Sequence, residues 1–234
     1  MEDILTSNVF GMLQYVAPEL GLFAFLAQAK TTAGDCPLGF LTTVCDLGQA
    51  RVEYDFWPQW PQSEPDVAIR IHCDVRSPHL VGIEAKFRSG KSSEADEVEE
   101  RPNDQLAREW VDLDGRADSR GAQPVLVYLT ADVSCPKAEI EASLEEIRRK
   151  SVCGAREPLI CWLSWRQLTR LFEGRDTGSQ ILAAVGRMAR RMELVFFEGI
   201  SAVTPVRAGW SFQGAMPKWR FQMAPIQCQW RFRS

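Results

Sequence analysis

With 234 residues, 45% of them hydrophobic, the chain can bury a real core without staples, as one domain with an appendage. Its seven cysteines (Cys36, Cys45, Cys73, Cys135, Cys153, Cys161, Cys228) are odd in number and never fall as CxxC, which argues against a disulfide framework or zinc knuckle and for a reducing, cytoplasmic setting. The net charge of −4 gives no overall pull toward polyanions, but it is unevenly spread: acids crowd Glu94 to Asp104, whereas Gly199 to Ser234 holds no acid against Arg207, Lys218, Arg220, Arg231 and Arg233.

The start, Met-Glu-Asp, lacks the basic region of a signal peptide, and no run of eighteen uncharged apolar residues follows, so neither export nor membrane insertion is expected. The nearest stretch, Val9 to Ala29, is interrupted by Gln14, Pro18 and Glu19 and reads as two short buried helices. The second of these is expected to start at Pro18, with Glu19 in its first turn, because proline suits the first helical position. Thr31 to Thr43 reads as loop and Arg51 to Trp57 as a strand. Val67 to His72 and Leu80 to Phe87, separated by Ser77-Pro78, predict an antiparallel hairpin. Helical spacing returns over Asn103 to Leu113, and Gln123 to Thr130 has the continuous apolar character of a strand covered on both faces. A helix over Lys137 to Lys150, a buried strand at Leu159 to Leu163 and amphipathic helices over residues 164–173 and 180–193 complete the pattern. The order predicts an α/β sandwich on a mixed sheet.

The hairpin concentrates the chemistry. Asp66 opens its first strand, and Glu84 and Lys86 close the second on one face, since side chains in a strand alternate. Two carboxylates, with the backbone carbonyl of Ala85, offer hard oxygens that suit Mg²⁺ or Mn²⁺, while the Lys86 ammonium can act on a phosphate beside the ion. The chemistry implied is phosphodiester hydrolysis. Taken bare, a Pro-Asp followed by Glu-x-Lys also describes a hairpin with a surface ion pair. Glu53 and Glu64 are further acids nearby, Glu64 reading as a solvated loop residue. His72 and His79 are the only histidines, too few for a zinc site, and neither GxSxG nor a P-loop is present. Cys161, in Leu-Ile-Cys-Trp-Leu, reads as core.

Pro65-Asp66 opening Val-Ala-Ile-Arg-Ile, then Leu80-Val-Gly-Ile-Glu84-Ala-Lys86, in the order helix, three strands, helix, strand, resembles the PD-(D/E)xK, restriction-endonuclease-like nuclease superfamily over Pro18 to Leu163. The resemblance implies an αβββαβ core, metal binding by Asp66 and Glu84, and catalysis by Lys86 beside them. It also implies a helix-borne Glu facing the metal, for which Glu19 is the matching position, and in some subfamilies a Gln on the helix after the third strand, here Gln105. That Gln belongs to a QxxxY pattern whose Tyr is absent: the chain reads Gln105-Leu-Ala-Arg-Glu109. The resulting expectation is a Mg²⁺-dependent nuclease acting on DNA, in prokaryotic or phage defence or DNA processing. Its rivals are a catalytically silent relative serving as a nucleic-acid-binding or assembly module, and an α/β interaction protein with no active site.

Beyond residue 198 the chain repeats a short motif: Trp210-Ser-Phe212, Trp219-Arg-Phe221 and Trp230-Arg-Phe232. Period-two spacing puts each Trp and Phe on one face, predicting a β-rich extension over 199–234 beside a nuclease-like domain of residues 1–198. Its aromatic face packs on the core, or else, with Lys218, Arg220, Arg231 and Arg233, it forms a platform for nucleic acid. A partner protein or second copy could equally add to its edge.

Overall fold

In the computed structural model the described residues are 2–43, 50–74, 76–95, 102–150, 156–174 and 178–196. They belong to the unit Met1–Phe196. The expected extension from residue 199, with Lys218, Arg220, Arg231 and Arg233, lies outside them.

Runs rich in β-branched and aromatic residues form strands β1 (Arg51–Phe56), β2 (Val67–Cys73), β3 (Arg76–Ala85), β4 (Gln123–Thr130) and β5 (Ile160–Ser164). They pair in sequence order as one sheet, with β1, β2 and β3 antiparallel and β3, β4 and β5 parallel. The sheet is therefore mixed and open. Each parallel step needs a crossover, supplied by helix α4 (Gln105–Asp118) between β3 and β4 and helix α5 (Lys137–Arg149) between β4 and β5.

The period of two divides the sheet's side chains between two cores. Val67, Ile69, Ile71, Val81, Ile83, Val127 and Leu129 face α1 (Glu2–Leu13), α2 (Leu22–Leu26), α6 (Gln167–Phe172) and α7 (Gln180–Arg191). Ala68, Leu80, Leu126 and Tyr128 face the apolar stripe of α4, formed by Leu106, Trp110, Leu113 and Ala117, together with Ile140 and Ile147 of α5. Gly82 is needed where α4 comes down on the sheet: a Cβ there would stand 3.3 Å from Leu126 Cδ1 and 3.4 Å from Leu113 Cδ1. No helix among the described residues is long and apolar enough to cross a membrane.

The expected helix from Pro18 needs correction. Residues 18–21 are turn, with Phe23 N donating to Pro18 O at 2.8 Å, and the helix is confined to Leu22–Leu26. The cause is packing at Gly21, where a Cβ would meet Leu13 Cδ2 at 2.9 Å, and the loss of periodicity at the exposed Leu20. The chain then leaves α2 to bridge β5, Lys30 and Trp162 exchanging backbone hydrogen bonds of 2.9 and 2.7 Å. A short α3 (Phe40–Thr43) also forms where only loop was expected.

Candidate active site

The antiparallel register of β2 and β3 places the first two acids. Val67 stands opposite Ile83, so the next step brings Asp66 opposite Glu84, at a separation where like charges repel. Asp66 Oδ2 accepts a hydrogen bond from Ala85 N at 2.8 Å, while its Oδ1 accepts none among the described residues. Glu84 and Lys86 share the face beneath α4, and Lys86 Nζ reaches Glu84 Oε1 at 2.7 Å.

Helix α4 completes this face. Asp104 caps its N-terminus, accepting from Ala107 N at 3.1 Å, and Asp104 N in turn donates to Glu146 Oε2 on α5 at 2.9 Å. Gln105, in the first turn, donates from Nε2 to Glu84 Oε1 at 2.5 Å and accepts at Oε1 from Ser92 N at 2.8 Å. These two partners fix which end of the amide faces the carboxylate. One turn further, Glu109 points the same way, and its carboxyl meets that of Glu84 closely enough to share a proton. No donor reaches Glu109 Oε2.

A fourth acid arrives from the opposite side. Glu2, at the start of α1, accepts from Phe87 N at 2.8 Å and Ser89 Oγ at 2.6 Å, and its other oxygen lies 3.6 Å from Lys86 Nζ.

The electrostatics follow from burial. Asp66 is 8% exposed, Glu84 3%, Lys86 8% and Glu109 1%. Removal from water, and then the neighbouring Glu84 charge, push the Asp66 carboxyl up to about 7. Burial likewise raises Glu84 against the opposing pull of Lys86. Glu109 is driven well above the carboxylate range by burial and by Glu84, so it stays protonated at neutral pH and is the donor of the pair. For Lys86, burial works to lower the ammonium, but Glu84 beside it outweighs that and raises it. The site is rich in carboxyls, with one ammonium among them. Among the described residues no three Asp, Glu, His or Cys side chains already converge as a metal cage. The oxygens offered are Asp66 Oδ1 and the Glu84–Glu109 pair.

Thus Asp66, Glu84, Lys86 and Gln105 come together, with Ala85 between the two strands' acids. Glu19 does not join them: it is exposed in the turn before α2, and the acid that reaches Lys86 from the N-terminal helices is Glu2. Glu53 is held by Arg51 at 2.7 Å and Arg70 at 2.5 Å, Glu64 is exposed in the loop before β2, and His79 packs its ring 4.8 Å from that of Phe40. Cys161 is buried in the core.

Glu109 and Glu2 were not singled out from sequence. Glu109 had a readable signal, standing one helical turn after Gln105 in the position where QxxxY has its Tyr. Glu2, 82 residues from Glu84 in the chain, had none. The chain matches no known protein-family model, no curated protein and no solved structure.

Proposed function

We propose that the protein is a Mg²⁺- or Mn²⁺-dependent nuclease hydrolysing phosphodiester bonds, with DNA as substrate. The observation that carries this reading is the crowding of carboxyl groups in one water-poor pocket: Asp66 opposite Glu84, and Glu84 against Glu109, with Asp66 pushed up to about 7. Such an arrangement costs stability unless a cation accompanies it. Hard carboxylate oxygens fit a small divalent ion, and Asp66 and Glu84 would hold it, with the Ala85 carbonyl as the third donor of the proposed set. Bound there, the ion supplies an activated water and neutralises charge on the phosphate.

The remaining work falls to side chains. Lys86 can place its ammonium against the reacting phosphate by leaving Glu84 Oε1, a charge that stabilises the transition state. Gln105 holds Glu84 in one rotamer through its bonds to Oε1 and to Ser92 N. Glu2 holds the turn after β3, from Phe87 N to Ser89 Oγ, and so fixes the backbone that carries Lys86. The resemblance of Pro65-Asp66 and Glu84-Ala85-Lys86 to the PD-(D/E)xK pattern supports the same assignment and, with it, a restriction-endonuclease-like αβββαβ core.

A second reading, a silent nucleic-acid-binding or assembly module, is favoured by one observation: Lys86 is already paired with Glu84, and both are less than a tenth exposed. Incubating the protein with supercoiled plasmid and linear DNA in Mg²⁺, Mn²⁺ or EDTA separates the two. Cleavage in either ion and none in EDTA supports the nuclease; intact DNA in all three, with DNA still retained by the protein, supports the module.

A further inference from the structure

A second feature lies on the same sheet face, away from the carboxyl cluster. Helix α4 covers β3 and β4 but leaves β2 open beside it, and a cleft of about 230 Å³ remains there. It is lined by Arg70, Arg116 and Arg120, with Trp60, Glu53 and Asp55. Leu80, on its floor, is four residues from Glu84, roughly 13 Å along β3 at 3.3 Å per residue.

The cleft's charges are unequally spent. Glu53 is shared by Arg51 and Arg70 and is thereby neutralised, leaving Asp55 as the unpaired acid of the lining. Arg116 makes no ion pair or side-chain hydrogen bond among the described residues; its guanidinium lies 5.2 Å from the centroid of the Trp60 ring. The exposed Arg120, four residues on, makes no ion pair either. Nε of Arg70 and Nε of Arg116 are both buried without an acceptor. Basic residues suit the C-terminal end of a helix, but that preference explains neither the orientation of Arg116 over Trp60 nor Arg70 on the strand opposite.

The wall that presents these groups is a built one. Trp60 N donates to Ser63 O at 3.0 Å, and Asp112 of α4 accepts from Gln62 N at 2.9 Å and Ser63 Oγ at 2.7 Å through one oxygen, pinning the β1–β2 loop to the helix. Trp60 holds Arg116 in place before any ligand arrives, so little side-chain freedom is lost on binding.

We propose that this cleft is a phosphate-binding subsite, in which Arg116 and Arg120 grip one phosphate group of a nucleic-acid strand away from the hydrolytic site. Guanidinium groups with free donors suit the tetrahedral oxygens of phosphate. The strand as the source of that phosphate rests on the proposed nuclease function; the phosphate site itself does not.

The test is made in EDTA, where no cleavage intervenes. Pyrophosphate binding is followed by calorimetry, and binding of a fluorescein-labelled single-stranded 12-mer by anisotropy over a salt series. The double variant Arg116→Gln/Arg120→Gln is compared with wild type and with Arg148→Gln, whose arginine pairs with Glu157 on another surface. The expected result is a loss of tenfold or more in affinity for both probes in the double variant alone, with the salt slope for the 12-mer falling by about 1.4 for two lost contacts. A loss confined to pyrophosphate supports the subsite and assigns it to a free phosphorylated molecule, overturning the strand. Unchanged affinity for both probes overturns the subsite. If the double variant does not melt cooperatively, the exposed Arg120→Gln alone carries the same comparison. Failure to cleave DNA under Mg²⁺ would count against the nuclease and leave these outcomes untouched.

Discussion

The Asp66 carboxyl makes the most specific physical prediction. Its value in the folded protein is about 7 against 3.8 for the free side chain, raised first by burial and next by Glu84. Between those values the folded protein binds a proton that the unfolded chain does not. Stability therefore falls as pH rises from about 4 to about 7, and the penalty is complete above that window. Three units correspond to about 4 kcal/mol, an upper bound that local relaxation reduces, so about 2–4 kcal/mol is expected. Asp66→Asn removes the charge and keeps an oxygen to accept from Ala85 N. In EDTA, urea unfolding should show the variant more stable than wild type by about 2–4 kcal/mol at pH 8, with a smaller gain, about 1–2 kcal/mol, at pH 5. Added Mn²⁺ should stabilise wild type and leave the variant unmoved. A variant no more stable than wild type at pH 8, or one whose gain is the same at both pH values, would refute the reasoning.

Three further outcomes are expected. Lys86→Ala should retain Mn²⁺ affinity by calorimetry and lose roughly a hundredfold or more in cleavage rate, because the ammonium acts on the transition state rather than on the ion; near-normal turnover contradicts that role. Gly186→Ala should lower the melting temperature, since a Cβ there meets Glu173 N at 2.7 Å and Phe172 C at 2.8 Å, both backbone, and overpacking of this kind costs about 1–3 kcal/mol; an unshifted melt contradicts the close contact of α7 with the end of α6. Asp112→Ala should cost about 1–3 kcal/mol in urea unfolding by leaving the Gln62 N and Ser63 Oγ donors unpaired, and it should speed proteolysis in the β1–β2 loop; equal stability and equal proteolysis would show that the loop is held by other contacts.

The sheet was legible because its signals are local. Gln123 to Thr130 is apolar on both faces, and β4 occupies those residues; the alternation over Arg51 to Trp57 and Val67 to His72 likewise places β1 and β2 to within one residue. The start of the chain was less legible. Helix α2 is only five residues long because Gly21 packs against Leu13 and Leu182, contacts that no periodicity encodes. The same division holds at the site. Asp66, Glu84 and Lys86 are fixed by strand period and hairpin register, and Gln105 by its place on the next helix. Glu109 followed from helical spacing once Gln105 was placed, whereas Glu2 reaches Lys86 through the docking of α1, and Glu19 stays in solvent for the same reason. The arginine cleft was invisible in the sequence, since Arg70 and Arg116 lie 46 residues apart on different elements.

The central claim is that Asp66 and Glu84 form a metal-dependent phosphodiesterase centre. Its most direct test is the rate of supercoiled plasmid nicking in Mg²⁺ by wild type and by Asp66→Asn, with both proteins shown folded by the urea transitions above. The account predicts nicking by wild type that EDTA abolishes, and none above background from the variant. Nicking at equal rates by both proteins, or by neither in Mg²⁺ and Mn²⁺, would contradict it.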